Sequence, residues 1–106
     1  MKVIWEEPAS RRLDEVYDFI AMENPPAAAK IFNDIVGETA RLADFPEMAA
    51  VEPLLVDIPE TFRSLVIRRN YKIVYYVDDA AKEVIIVDVW DCRQRLSRLK
   101  KLIKGK

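Results

Sequence analysis

The chain has 106 residues, 51% of them hydrophobic and 33% charged, with only 2 Gly, which suits one folded domain and excludes disorder and collagen-like repeats. Its formal net charge of -1 hides a separation of signs: residues 1–61 hold 5 of the 17 Lys+Arg and 13 of the 18 Asp+Glu, a balance of −8, whereas residues 62–106 balance at +7. With no His and one Cys, the sequence excludes Ser-His-Asp and Cys-His nucleophile systems and the common zinc sites, so any catalysis would fall to Arg, Lys, Tyr and carboxylates.

Val3-Ile4-Trp5 is a short apolar run stopped by Glu6-Glu7-Pro8 and predicts a first strand. From Ala9 onward Leu13, Val16, Tyr17 and Ile20 recur at the spacing of one helical face, with Arg12, Asp14, Glu15 and Asp18 turned outward. Asn24-Pro25-Pro26 ends that helix, because a residue before proline is pushed out of the helical region, and Pro26 fits the first turn of the next. Ala28, Ile31, Phe32, Ile35 and Leu42 carry a second apolar stripe as far as Phe45-Pro46, so the two helices form an antiparallel hairpin. Residues 46–61, with Pro46, Pro53 and Pro59, read as an ordered but irregular connection with an extended piece around Leu54–Val56.

Beyond it the pattern turns to strands over 62–68, 71–77 and 84–90, rich in β-branched and aromatic residues and separated by Arg69-Asn70 and by residues 78–82. Gaps that short predict an antiparallel meander. Leu96, Leu99, Leu102 and Ile103 predict a basic C-terminal helix. The fold class is therefore α+β, a helical hairpin packed on a small antiparallel sheet in the order β-α-α-β-β-β, as one domain over 1–106. Alternation puts Tyr71, Ile73, Tyr75 and Val77 on the core face of the middle strand, and Ile85, Val87 and Val89 on that of the last. A two-residue first turn would set Arg63 opposite Tyr76, and a five-residue second loop would set Lys72 opposite Asp88. Arg63, Lys72, Tyr76, Asp88 and Trp90 would then share the outer face with Leu65, Ile67, Val74, Val84 and Ile86. So apolar a face calls for a covering segment or a partner.

The order of these elements, with Tyr71-Lys72-Ile73-Val74-Tyr75 followed by Val87-Asp88-Val89-Trp90-Asp91-Cys92-Arg93, resembles the RelE/ParE superfamily of bacterial toxin–antitoxin toxins. Pro8-Ala9 before the first helix, Ala28 and Ile31 early in the second and Leu42 to Pro46 at its close resemble the ParE branch in particular. The resemblance implies a cytoplasmic growth-inhibiting toxin, of the kind linked to plasmid stabilisation, without cofactor or metal, neutralised by a cognate antitoxin whose C-terminal segment wraps around it. ParE-like members resemble inhibitors of DNA gyrase. RelE-like members cut messenger RNA in the ribosome with basic residues on the sheet and a Tyr or His near the C-terminus.

Arg63, Lys72 and Arg93 match basic positions of that cleavage set, with Tyr76 as the nearby base candidate. Leu65 stands where a second lysine is expected, and Leu99 occupies the aromatic acid/base position. Cleavage by 2′-OH attack needs a proton acceptor, cations for the phosphorane and a proton donor for the leaving oxygen. A phenol with a pKa near 10 serves poorly as the acceptor. The competing structural use is that Tyr76 packs across from Arg63, Lys72 pairs with Asp88, and Arg93 opens a solvated helix, with Cys92 a small buried filler. Under the ParE-like reading, Arg63, Lys72, Tyr76, Trp90, Arg93 and Arg95 form a face for antitoxin or target, with no membrane association and no direct reading of DNA sequence. A RelE-type ribonuclease and an inactive scaffold-like relative are the alternatives.

Overall fold

The computed structural model describes residues 1–92. Arg93, Arg95, Leu99 and the expected C-terminal helix lie outside the described residues. Strand β1 (Lys2–Trp5) leads into helices α1 (Glu7–Ala21) and α2 (Pro25–Ala40), and a single 3-10 turn, Arg41–Ala43, extends α2. A two-residue strand β2 (Ala50–Val51) follows, then a 3-10 turn at Pro53–Leu55 and strands β3 (Arg63–Ile67), β4 (Tyr71–Asp78) and β5 (Glu83–Asp91).

Local chemistry sets the helix boundaries. Pro8 sits in the first turn of α1 and Pro25 and Pro26 in that of α2, where the missing N–H costs nothing. Asn24 caps α2, its side-chain oxygen accepting from Ala27 N at 3.1 Å. Ala9, Leu13 and Val16 of α1 and Ala28 and Ile35 of α2 are buried, as the apolar spacing predicts, and Tyr17 meets Phe32 edge to face at 5.9 Å between the helices. Thr39 is also buried, satisfying its hydroxyl on the Ile35 carbonyl one turn back.

The five strands form one sheet in the order β1-β5-β4-β3-β2. The chain crosses from one edge to the other through the helical hairpin and returns by the meander, which brings β5 against β1. That last pairing is parallel, with Val3 opposite Val84 and Trp5 opposite Ile86, so the sheet is mixed rather than purely antiparallel. Both helices cover one face, α1 over β5 and α2 over β3. The core between layers is built from Leu13, Ile35, Leu42, Ile67, Tyr71, Ile73, Tyr75, Val84, Ile86 and Val89.

Two local features shift the register from the simple alternation. Arg68 and Arg69 adopt left-handed backbone, φ 52 and 63, so the first turn forms one residue early. Ile67 then pairs with Tyr71, leaving 68–70 as the loop, and Arg63 stands opposite Tyr75 instead of Tyr76. Cross-strand partners share a face, so Arg63, Leu65 and Ile67 emanate from the helix side. In β5 a bulge carries the second shift: Val74 pairs with Asp88 but Tyr75 with Ile86, leaving Val87 unpaired. One extra residue inverts the alternation on its far side. The core residues of β5 are accordingly Val84, Ile86 and Val89, not the expected set of Ile85, Val87 and Val89. Lys72 faces Trp90 rather than Asp88, and Tyr76 faces Ile85.

Candidate functional site

The outer face of the sheet is a row of side chains from three strands: Ser64 and Val66 on β3, Lys72, Val74 and Tyr76 on β4, and Trp90, Asp88 and Ile85 on β5. Of the expected face, Lys72, Tyr76, Asp88, Trp90 and Val74 come together here. Arg63 does not, and Leu65, Ile67, Val84 and Ile86 belong to the helix-side layer.

The connection between α2 and β3 is fastened to the sheet, and its extended piece is Ala50–Val51, whereas the predicted span 54–56 largely falls in the 3-10 turn. The fastening centres on Glu52, which the sequence reading missed because its side-chain partners lie 12 and 20 positions away. Its carboxylate is buried and accepts from Lys72 Nζ at 2.6 Å, Ser64 Oγ at 2.9 Å and Leu54 N at 2.9 Å. Burial by itself raises the Glu52 carboxyl, but the hydrogen bonds from Lys72, Leu54 and Ser64 and the Lys72 charge outweigh it and hold the group below the usual glutamate value. The Glu52 main chain joins as well, N to Phe62 O at 2.9 Å. Two more side chains hold the same connection: Arg63 Nη1 donates to Ala49 O at 2.8 Å, and the Tyr75 hydroxyl to Pro46 O at 2.8 Å.

Of the candidate cations, Lys72 and Arg63 are thus committed. Lys72 pairs with Glu52, not with Asp88 as the competing structural use would have it. Asp88 instead accepts from Trp90 Nε1 at 3.0 Å and lies 3.9 Å from Arg12 Nε of α1. Arg63 lines a hollow of about 400 Å³ whose other walls include Glu47, Glu60, Asp78, Asp79 and Tyr76. Four carboxylates around one guanidinium are the wrong charge for a phosphate backbone. Tyr76 packs edge to face against Phe62 at 5.5 Å, rather than across from Arg63. Cys92 is partly exposed, its N–H donating to Asn70 O at 2.7 Å. Among the described residues no acidic or Cys cluster suits a metal ion, and no helix is long and apolar enough to cross a membrane.

Comparison with known proteins places this architecture. The family model described as "ParE toxin of type II toxin-antitoxin system, parDE" matches residues 3–96. No curated protein matches the chain in sequence. Among solved structures, the chromosomal ParDE system of P. aeruginosa contains a chain 26% identical, with a TM-score of 0.71, covering 86% of this chain and 95% of that one. The isolated E. coli RelE toxin superposes with a TM-score of 0.63 at 16% identity, covering 96% of this chain and 97% of that one. A chain of the intact E. coli RelBE toxin-antitoxin complex gives 0.62 at 15%, covering 85% of this chain and 94% of that one. The likeness to RelE is one of fold alone.

Proposed function

Because the chain belongs to the ParE family of type II toxin–antitoxin toxins, we propose that it inhibits growth by binding a protein target, DNA gyrase, and that a cognate antitoxin neutralises it. The observation that carries this reading is the fate of Lys72 and Arg63. A ribonuclease of the RelE type needs cations free to meet a phosphorane, yet the Lys72 ammonium is held by a buried carboxylate at 2.6 Å and the Arg63 guanidinium by a main-chain carbonyl at 2.8 Å. Both fasten the connection to the sheet. Tyr76 is engaged by Phe62 and has no imidazole to assist it, since the sequence contains no His.

The similar P. aeruginosa chain comes from a ParDE system and the E. coli relative from an intact RelBE complex, which supports an antitoxin as partner. The face proposed for antitoxin or target includes Trp90 of the outer face, together with Arg93 and Arg95 of the basic sequence that follows.

Supercoiling by purified gyrase, titrated with the free chain, tests the reading. Inhibition near stoichiometric amounts is expected, and normal supercoiling at a large molar excess would remove gyrase as the target. Primer extension on ribosome-bound messages should show no new cuts. Cuts that vanish in Arg93→Ala would return the assignment to the ribonuclease alternative. Normal growth on expression without antitoxin would instead mark an inactive relative.

A further inference from the structure

Among the described residues, the connection between α2 and β3 has a distinctive pattern of charge and exposure. Residues 42–62 contain five carboxylates and not one Lys or Arg. They also hold Phe45, Met48, Val51, Leu54, Val56 and Ile58, six of the eleven large apolar side chains exposed among the described residues. Val56 is 68% and Leu54 50% accessible. An irregular loop that shows this much apolar surface would ordinarily be a liability. Here it is rigidly mounted: Tyr75 holds Pro46, Arg63 holds Ala49, and Glu52 is clamped by Ser64 and Lys72 from beneath. Beside it, Glu47 and Glu60 of the connection join Asp78 at the end of β4 and Asp79 just beyond it around the same hollow.

We propose that this connection is a docking surface for the toxin's protein target, and that the target presents a segment with apolar anchors flanked by Lys or Arg. Charge complementarity selects that occupant. The apolar side chains between 51 and 58 supply contact area, and the carboxylates of the hollow receive the partner's cations. Preorganisation lowers the entropy cost of binding, because the connection is already ordered in the free chain. An acidic partner segment is repelled from this surface. The inference rests on the proposed action through a protein target, but it does not require that target to be gyrase.

The test uses the full chain and two fluorescent synthetic helical peptides of identical Leu anchors, one flanked by Lys and one by Glu. Anisotropy titrations should show binding of the Lys peptide, weakened about tenfold or more by Leu54→Ser with Val56→Ser, both exposed positions. Glu60→Gln with Asp79→Asn should weaken it too, and more at low than at high ionic strength. Asp14→Asn with Asp18→Asn, on the outward face of α1, should leave it unchanged. Equal binding of the Glu peptide, or equal loss in the α1 control, would overturn the proposal. So would self-association of the chain abolished by the Leu54 and Val56 changes without any preference between peptides, which would assign the surface to a second copy. A wild-type chain that discriminates the peptides yet leaves gyrase untouched would uphold the surface and remove gyrase alone.

Discussion

Replacing Glu52 by Ala removes a buried carboxylate that ties three elements together. The variant loses acceptors for Lys72 Nζ, Ser64 Oγ and Leu54 N. Hydrogen bonds to a charged group contribute about 1.5–3 kcal/mol each, and losses sharing one side chain do not add in full. Lys72 retains some access to solvent, its side chain being 25% exposed, so it recovers part of its hydration. Weighing these, the loss should be about 3–4 kcal/mol, a large share of the roughly 5–15 kcal/mol that holds a small domain together. At a urea slope of about 1.5 kcal/mol per M, the unfolding midpoint falls by about 2 M. Trp5 and Trp90 provide the fluorescence signal. Glu52→Gln keeps an amide oxygen for Leu54 or Ser64 and should lose about half as much. A Glu52→Ala chain within about 0.5 kcal/mol of wild type would refute the reasoning, since a surface substitution would do no more.

Further outcomes follow from the same geometry. The folded-state value of Glu52 lies below the ordinary one, so its stabilisation is complete above the usual glutamate pKa of about 4.3 and is lost as pH falls through the lower folded value; acid titration of stability should therefore flatten in Glu52→Gln across that window. Lys72→Met leaves Glu52 buried without its cation and should cost about 3 kcal/mol, with a double-mutant cycle against Glu52→Gln showing coupling above about 1 kcal/mol. Gly37 lies within α2 and an added Cβ meets nothing within 4 Å, so Gly37→Ala should stabilise by about 0.5–1 kcal/mol in the same denaturation assay. Tyr75→Phe removes the hydroxyl that holds Pro46 at 2.8 Å and should cost about 1 kcal/mol while speeding limited proteolysis within residues 46–61.

The helical hairpin could be read from residue order because Leu13, Val16 and Ile20 obey a helical period and Asn24-Pro25-Pro26 admits few conformations. The meander was legible for the same kind of reason. Its register was not. Val84 to Val87 is apolar without interruption, so nothing in that run marks where one extra residue enters, and the bulge at Val87 inverts the face of everything before it. Arg68 and Arg69 in left-handed backbone are equally silent, since turn-forming Asn70 stands next to them. Glu52 illustrates the third limit. A lone carboxylate among prolines looks like a loop residue, and only its distant partners make it the clamp of the site. The one available hint was that residues 42–62 contain no cation, so a carboxylate buried there had to find one elsewhere in the chain.

Two roles for the outer-face lysine divide the possible accounts most sharply: a clamp in a protein-binding toxin, or a phosphate contact in a nuclease. Dose–response curves for inhibition of gyrase supercoiling, run with wild type and with Lys72→Met and normalised to the folded fraction of each, measure this directly. The account predicts that the wild-type chain inhibits and that folded Lys72→Met still inhibits fully, its midpoint raised only by the loosened connection. Abolished inhibition in folded Lys72→Met, or a wild-type curve that stays flat at large molar excess, would contradict it.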